Sequence, residues 1–265
     1  MGEQTGLCDR GRRVLRMAGG DALKVLQDTV TNNVSGLAPG SAAYAALLTP
    51  QGKYLFDFFV FRDGEDLLID AEAARAEALM TRLKMYCLRR DARIEATDLG
   101  VTLVWGGDAA PAPGTGVIVV ADPRDAALGW RLYGPAEVPF APATRDTYDR
   151  LRLSLGVPES GRDLLPDETY ILEAGFERLH GVDFKKGCYV GQEVTARMKH
   201  KTQLRKGIVQ VAVEGEVAEG TEITANGKVA GKLLSHSGGI GLAHLRFDRA
   251  ADEMQAGTAV IRYAR

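Results

Sequence analysis

Apolar residues recur at helical spacing where Leu23, Leu26 and Val30 follow Gly20-Asp21, which predicts a first helix capped by Asp21 and ended by Asn32-Asn33 and Ser35-Gly36. Residues 54–61 form an aromatic and apolar run broken only by Asp57. Such a run predicts a strand buried on both faces, with Asp63-Gly64 as the turn after it. A second helix is expected from residue 71 to about 84, with Asp70 as its cap and Leu79 and Leu83 as an i,i+4 apolar pair. Strands are expected at 93–96, 101–105 and 116–120, and a third helix at 144–155, before Gly156 and Pro158.

From about residue 206 helical periods give way to short alternating runs at 208–213, 221–225, 228–234, 240–245 and 258–262. Asn226-Gly227 between two of them is a strong signal for a two-residue hairpin. The pattern divides the chain into an α+β region over 1–205 and a small antiparallel barrel or sandwich over 206–265. No internal repeat interrupts this order.

Composition narrows the function classes. The 265 residues are 45% hydrophobic and 26% charged, enough for a substantial core without disulfides or metals. Thirty-three Lys and Arg against 35 Asp and Glu give a net charge of -2, which argues against a dedicated nucleic-acid binder. Cys8, Cys87 and Cys188 are too few and too far apart for a disulfide scaffold. With no secretory segment, they predict a reducing, cytoplasmic setting. No apolar stretch approaches 18 residues, so no membrane span is expected.

The densest chemistry lies around Cys188, in Lys185-Lys186-Gly187-Cys188-Tyr189-Val190-Gly191-Gln192-Glu193. Basic neighbours lower a thiol pKa, and a helix beginning near Val190 would add positive potential. Gly187 and Gly191 permit a tight turn or a close backbone approach. Gln192 and Glu193 could bond to ligand amides. The plain alternative is a buried, inert cysteine beside a helix. One cysteine cannot supply the four thiolates of a cluster, and Cys8 and Cys87 lack metal-ligand spacing, so no metal site is expected.

The run from Lys186 to Glu193, continued by Thr195-Ala196-Arg197 and preceded by Leu179-His180-Gly181-Val182-Asp183-Phe184, resembles the signature of the YgfZ family of folate-binding proteins. It is as similar to mitochondrial iron–sulfur maturation relatives as to the bacterial proteins. Gly20-Asp21-Ala22, Leu26-Gln27, Thr31-Asn32-Asn33-Val34 and Thr49-Pro50-Gln51-Gly52-Lys53 resemble segments of the glycine-cleavage aminomethyltransferase. The resemblance implies an aminomethyltransferase-like multidomain α+β fold with a small C-terminal antiparallel β-barrel. It also implies a bound tetrahydrofolate or derivative, support of iron–sulfur enzymes, iron–sulfur client proteins or assembly factors as partners, and a link to tRNA modification.

Carried onto this chain, the resemblance makes Cys188 the reactive group. Its motif residues are Lys186, Gly187, Tyr189, Gly191, Gln192, Glu193 and Arg197, and its candidate folate contacts are Asp57, Glu173, Glu177, Lys185, Lys186, Gln192 and Glu193. Asp57 stands near the position of the aminomethyltransferase acid, with Phe56 in place of a second acid. Seven Lys or Arg between residues 185 and 206, against one Glu, are expected to receive a polyglutamylated folate tail. Two further functions fit parts of the chain. One is a folate-dependent one-carbon or aminomethyl transferase with Asp57 as acid or base. The other is an RNA-associated module using the basic 185–206 stretch, poorly supported because its one aromatic is Tyr189.

Overall fold

The computed structural model describes residues 4–107, 109–112, 114–134, 140–201 and 203–263. Part of the glycine- and proline-rich loop near residue 110 lies outside the described residues. The described strands make two five-stranded sheets and a closed six-stranded barrel. No helix among these residues is long and apolar enough to cross a membrane.

The first sheet runs β3-β4-β5-β2-β6. Its strands are β2 (Arg12–Ala18), β3 (Ala42–Leu48), β4 (Tyr54–Asp63), β5 (Asp66–Glu72) and β6 (Arg93–Ala96). Alternate residues point to opposite faces. Leu15, Met17, Phe58, Val60 and Ile69 pack with helices α1 (Ala22–Thr29) and α2 (Ala76–Tyr86). Val14, Tyr44, Phe59, Phe61 and Leu68 pack on the other side. Both faces are covered, which explains why the run of β4 is apolar at every position from Tyr54 to Phe61 except Asp57.

Two expected caps are absent. Asp21 makes no side-chain bond to α1; its carboxylate accepts instead from the Asp91 N–H at 2.9 Å. Asp70 lies inside β5, which runs on through Glu72, so α2 starts at Ala76 rather than residue 71. A fully buried aspartate needs cations more than a helix needs a cap, and Asp70 has Arg12 at 2.7 Å and Arg131 at 2.7 Å.

The second sheet runs β10-β1-β7-β9-β8. It is built from β1 (Thr5–Cys8), β7 (Gly100–Trp105), β8 (Ile118–Ala121), β9 (Trp130–Gly134) and the short β10 (Ala141–Pro142). Helix α3 (Arg145–Ser154) follows, and Thr144 caps it by accepting the Thr147 N–H at 3.2 Å.

Strands β11 (Lys206–Glu214), β12 (Glu222–Ala225), β13 (Lys228–Ser237), β14 (Ile240–Arg246), β15 (Glu253–Ala256) and β16 (Ala259–Arg262) close the barrel, because β11 pairs with both β14 and β16. Asn226 and Gly227 both have positive φ, 50° and 72°, the backbone that the two-residue turn requires. Buried Arg152 of α3 ties the barrel on. It bonds to Asp149 at 2.6 Å, Asp163 at 2.8 Å and the Ser235 hydroxyl of β13 at 2.9 Å. The described elements make an α+β region followed by a small, closed, antiparallel C-terminal barrel.

Candidate functional site

Cys188 lies on an irregular segment before helix α4 (Gln192–Lys201), and its side chain is exposed. Asp183 begins the segment as a turn: its carboxylate accepts the Lys185 N–H at 2.7 Å and the Lys186 N–H at 3.3 Å. Lys186 is only 8% exposed, and its ammonium donates to the carbonyl of Gln27 at 2.6 Å and to that of Val30. These groups end α1, so the cation meets the negative pole of that helix. Burial pushes the Lys186 ammonium down to about 8, against the opposing pull of Asp183 and Asp28. Tyr189 is 7% exposed and joins the core. Gly187 and Cys188 are thus displayed between two buried anchors.

Gly191 closes the segment at φ 83°. A Cβ there would lie 2.7 Å from the Thr49 carbonyl and 3.1 Å from the Gly52 Cα. Gly52 itself has φ 75°, and a Cβ on it would meet Val194 of α4 at 2.9 Å. The Thr49–Lys53 turn and the cysteine motif therefore meet glycine to glycine. The Thr31-Asn32 segment joins them from the other side. The Thr31 hydroxyl donates to the Gly181 carbonyl at 2.7 Å, and the Asn32 amide to the carbonyls of His180 at 2.6 Å and Tyr44 at 2.8 Å. Three motifs distant in sequence thus build one support for the cysteine.

The other expected site residues divide. Gln192 begins α4 at the foot of this segment, and Glu193 pairs with Arg197 at 2.8 Å in solvent. Lys185 is exposed. Glu177 pairs with Lys199. Glu173 is buried elsewhere, against the barrel, near Lys206 at 3.4 Å and His244 at 3.5 Å. Gly187 meets nothing within 4 Å of a built Cβ, whereas Gly191 is packed against the Thr49–Lys53 turn. Part of the positive charge of the 185–206 stretch is taken up by the fold: Lys186 is buried, and Arg197, Lys199 and Lys206 each face a carboxylate, whereas Lys185 and Arg205 are exposed. Positive charge counted along a chain is neutralised when the fold brings acids to it.

Asp57 sits between the sheets. Tyr44 donates to one oxygen at 2.9 Å and Tyr54 to the other at 2.7 Å. Burial, then the Asp57 charge, pushes both phenols well above the ordinary tyrosine value, so they remain donors. The space beside Asp57 is about 20 Å³, room for about one water. Phe59 next to it is covered by the guanidiniums of Arg131 at 4.0 Å and Arg124 at 4.8 Å. A space of this size does not admit a pteridine ring as these side chains stand, and cations already cover the neighbouring aromatic faces. Arg124 and Arg131 in turn meet Asp122 and Asp70. Single charges inside β5 and β9 were the signal available in the sequence for this network.

The barrel region matches the family model described as "CAF17, C-terminal beta-barrel domain" over residues 205–265, and residues 3–110 match the "GCVT N-terminal domain". A solved structure of glycine cleavage system aminomethyltransferase T from Bartonella henselae superposes with a TM-score of 0.83. It covers 99% of this chain and 85% of that one at 16% identity, which speaks for the fold alone. The mouse protein named iron-sulfur cluster assembly factor IBA57, mitochondrial, is 34% identical over 272 residues, with 89% of this chain and 76% of that protein covered. The chain belongs to the IBA57 family. The human protein of that name is 33% identical, covering 89% of this chain and 75% of its own length. An IBA57 homolog from Pyricularia oryzae is also 33% identical, covering 92% and 72%.

Membership of the IBA57 family overturns the YgfZ assignment, and with it the folate-binding and tRNA-modification expectations tied to that family. The cytoplasmic expectation falls too, because these relatives are named mitochondrial. The run from Lys186 to Glu193 resembles both groups equally, so that resemblance alone did not separate them.

Proposed function

We propose that this chain is an accessory factor in iron–sulfur cluster assembly or maintenance, and that Cys188 is the thiol it presents to a cluster-bearing partner. The family named for this activity supports the first part. One observation carries the second: Cys188 is exposed between buried Lys186 and buried Tyr189. A thiol meant for core packing would be turned inward, since free cysteines are among the most buried side chains. Among the described residues no group of three or more His, Cys, Asp or Glu converges for a metal ion. A single thiol provides one ligand, so the remaining ligands of a bound cluster come from the partner. The cluster is cargo on this account.

The test is complementation in cells lacking the chain, read as the activity of an iron–sulfur enzyme and as the level of the variant. Cys188→Ala is expected to fold, accumulate and fail; Lys185→Ala is expected to complement. Full complementation by Cys188→Ala removes the thiol from the proposal. A folate has only the shared aminomethyltransferase fold in its favour. Calorimetric titration with tetrahydrofolate is expected to give no saturable heat, given the charged space at Asp57.

A further inference from the structure

A cleft of about 290 Å³ opens between the outside of the barrel and the segment leading to it. Three neighbouring strands build one wall. Ile208 of β11 and Lys232 of β13 both lie opposite His244 of β14 in the two ladders. Lys206 and Leu234, two residues along, extend the same outward row, because alternate residues of a strand share a face. The inward row, with Leu233, Ala243 and Leu245, fills the barrel. Leu165 and Thr169 form the opposite wall.

The charges in this cleft are unevenly matched. Buried Glu173 faces both Lys206 at 3.4 Å and His244 at 3.5 Å. Buried Asp163 accepts from Arg152 at 2.8 Å and from the N–H groups of Ser235 and Glu159, each at 2.9 Å. Both inner acids are therefore satisfied. Lys232 is exposed and, among the described residues, has no carboxylate within ion-pair distance. Its stem lines the cleft across the His244 position from Ile208, and its ammonium end lies near Gly220, with Glu222 of β12 opposite it in the ladder but outside ion-pair distance. Exposed Glu168 stands at the rim, where Lys53 bonds its backbone carbonyl at 2.8 Å.

We infer that this cleft binds a small organic carboxylate, its apolar body against Leu165, Ile208 and Leu234 and its carboxylate on Lys232. The volume is at the small end of ligand clefts and holds about ten to fifteen heavy atoms. A cationic ligand would meet Lys206 and Lys232 with no free inner acid to receive it. A bare anion would leave the apolar wall wet, so the body and the charge are both required.

The experiment titrates the full chain with 4-phenylbutyrate by calorimetry, with histidine NMR resonances followed in parallel. Saturable binding that shifts the His244 resonance is expected. The affinity should fall about fivefold or more in Lys232→Ala, remain in Lys232→Arg, and be about fivefold weaker for 4-phenylbutyramide. Lys232 is exposed, so its replacement leaves the barrel core intact. The inference is overturned by no saturable binding at millimolar ligand, by equal affinity in Lys232→Ala, by equal affinity of the amide, or by inorganic phosphate binding as tightly as the carboxylate.

Discussion

Lys186 and Cys188 stand two residues apart and face opposite ways: the last carbonyls of α1 enclose the Lys186 ammonium, and the Cys188 thiol is in solvent. The lysine adjacent to the motif cysteine is thus an anchor for the loop. Its charge is directed at a helix end, where the sequence suggests a cation that stabilises the thiolate.

Replacing Cys188 by alanine is expected to change unfolding free energy by less than about 0.5 kcal/mol, as for exposed positions generally. Urea denaturation of the purified variant checks this. A larger loss would mean that the thiol packs.

Lys186→Met keeps the stem but removes both donors from the Gln27 and Val30 carbonyls. Leaving such acceptors unpaired costs about 1–3 kcal/mol. The same variant is expected to loosen the cysteine loop, read as altered alkylation kinetics at Cys188 alongside the denaturation curve.

Gly191→Ala places a Cβ 2.7 Å from the Thr49 carbonyl, on a backbone at φ 83°. Strain of this kind costs about 1–3 kcal/mol, and a backbone oxygen cannot swing away. Gly187→Ala, with nothing within 4 Å, is expected to be nearly neutral. Thermal melts of the two variants side by side distinguish the glycines.

Burial works against the charge of Asp70, but Arg12 and Arg131 outweigh it and hold its carboxyl below the usual range. A depressed folded value means that this stabilisation is complete above the unfolded value of about 3.9 and is lost as pH falls through the folded one. Asp70→Ala leaves the buried Arg12 guanidinium without its carboxylate and Arg131 with only Asp122, at 3.4 Å, and is expected to cost about 3–5 kcal/mol at neutral pH. Stability measured from pH 6 down to pH 2 should fall less steeply in the variant than in the parent.

What was legible in the chain was local. Period and turn chemistry mark β4, α3, the Asn226-Gly227 hairpin and the change to short strands near residue 206, because each depends on neighbours a few residues away. The cysteine motif was legible for the same reason. The first-sheet strands β2 and β3 were not: Arg12 and Arg16 interrupt one, and small alanines fill the other. Asp70 reads as a cap because Asp before a helical run usually is one. Only the second sheet, arriving with Arg131 from 61 residues away, makes it the centre of an ion network. The chain determined which residues were chemically able: an exposed-type thiol, its lysines and its glycines. Tertiary structure decided their roles, sending Lys186 to α1, closing Asp57 between two tyrosines, and locking Gly191 against Gly52. Those roles depend on contacts between distant segments, and a linear pattern carries no record of which distant carbonyl, ring or carboxylate will be the neighbour.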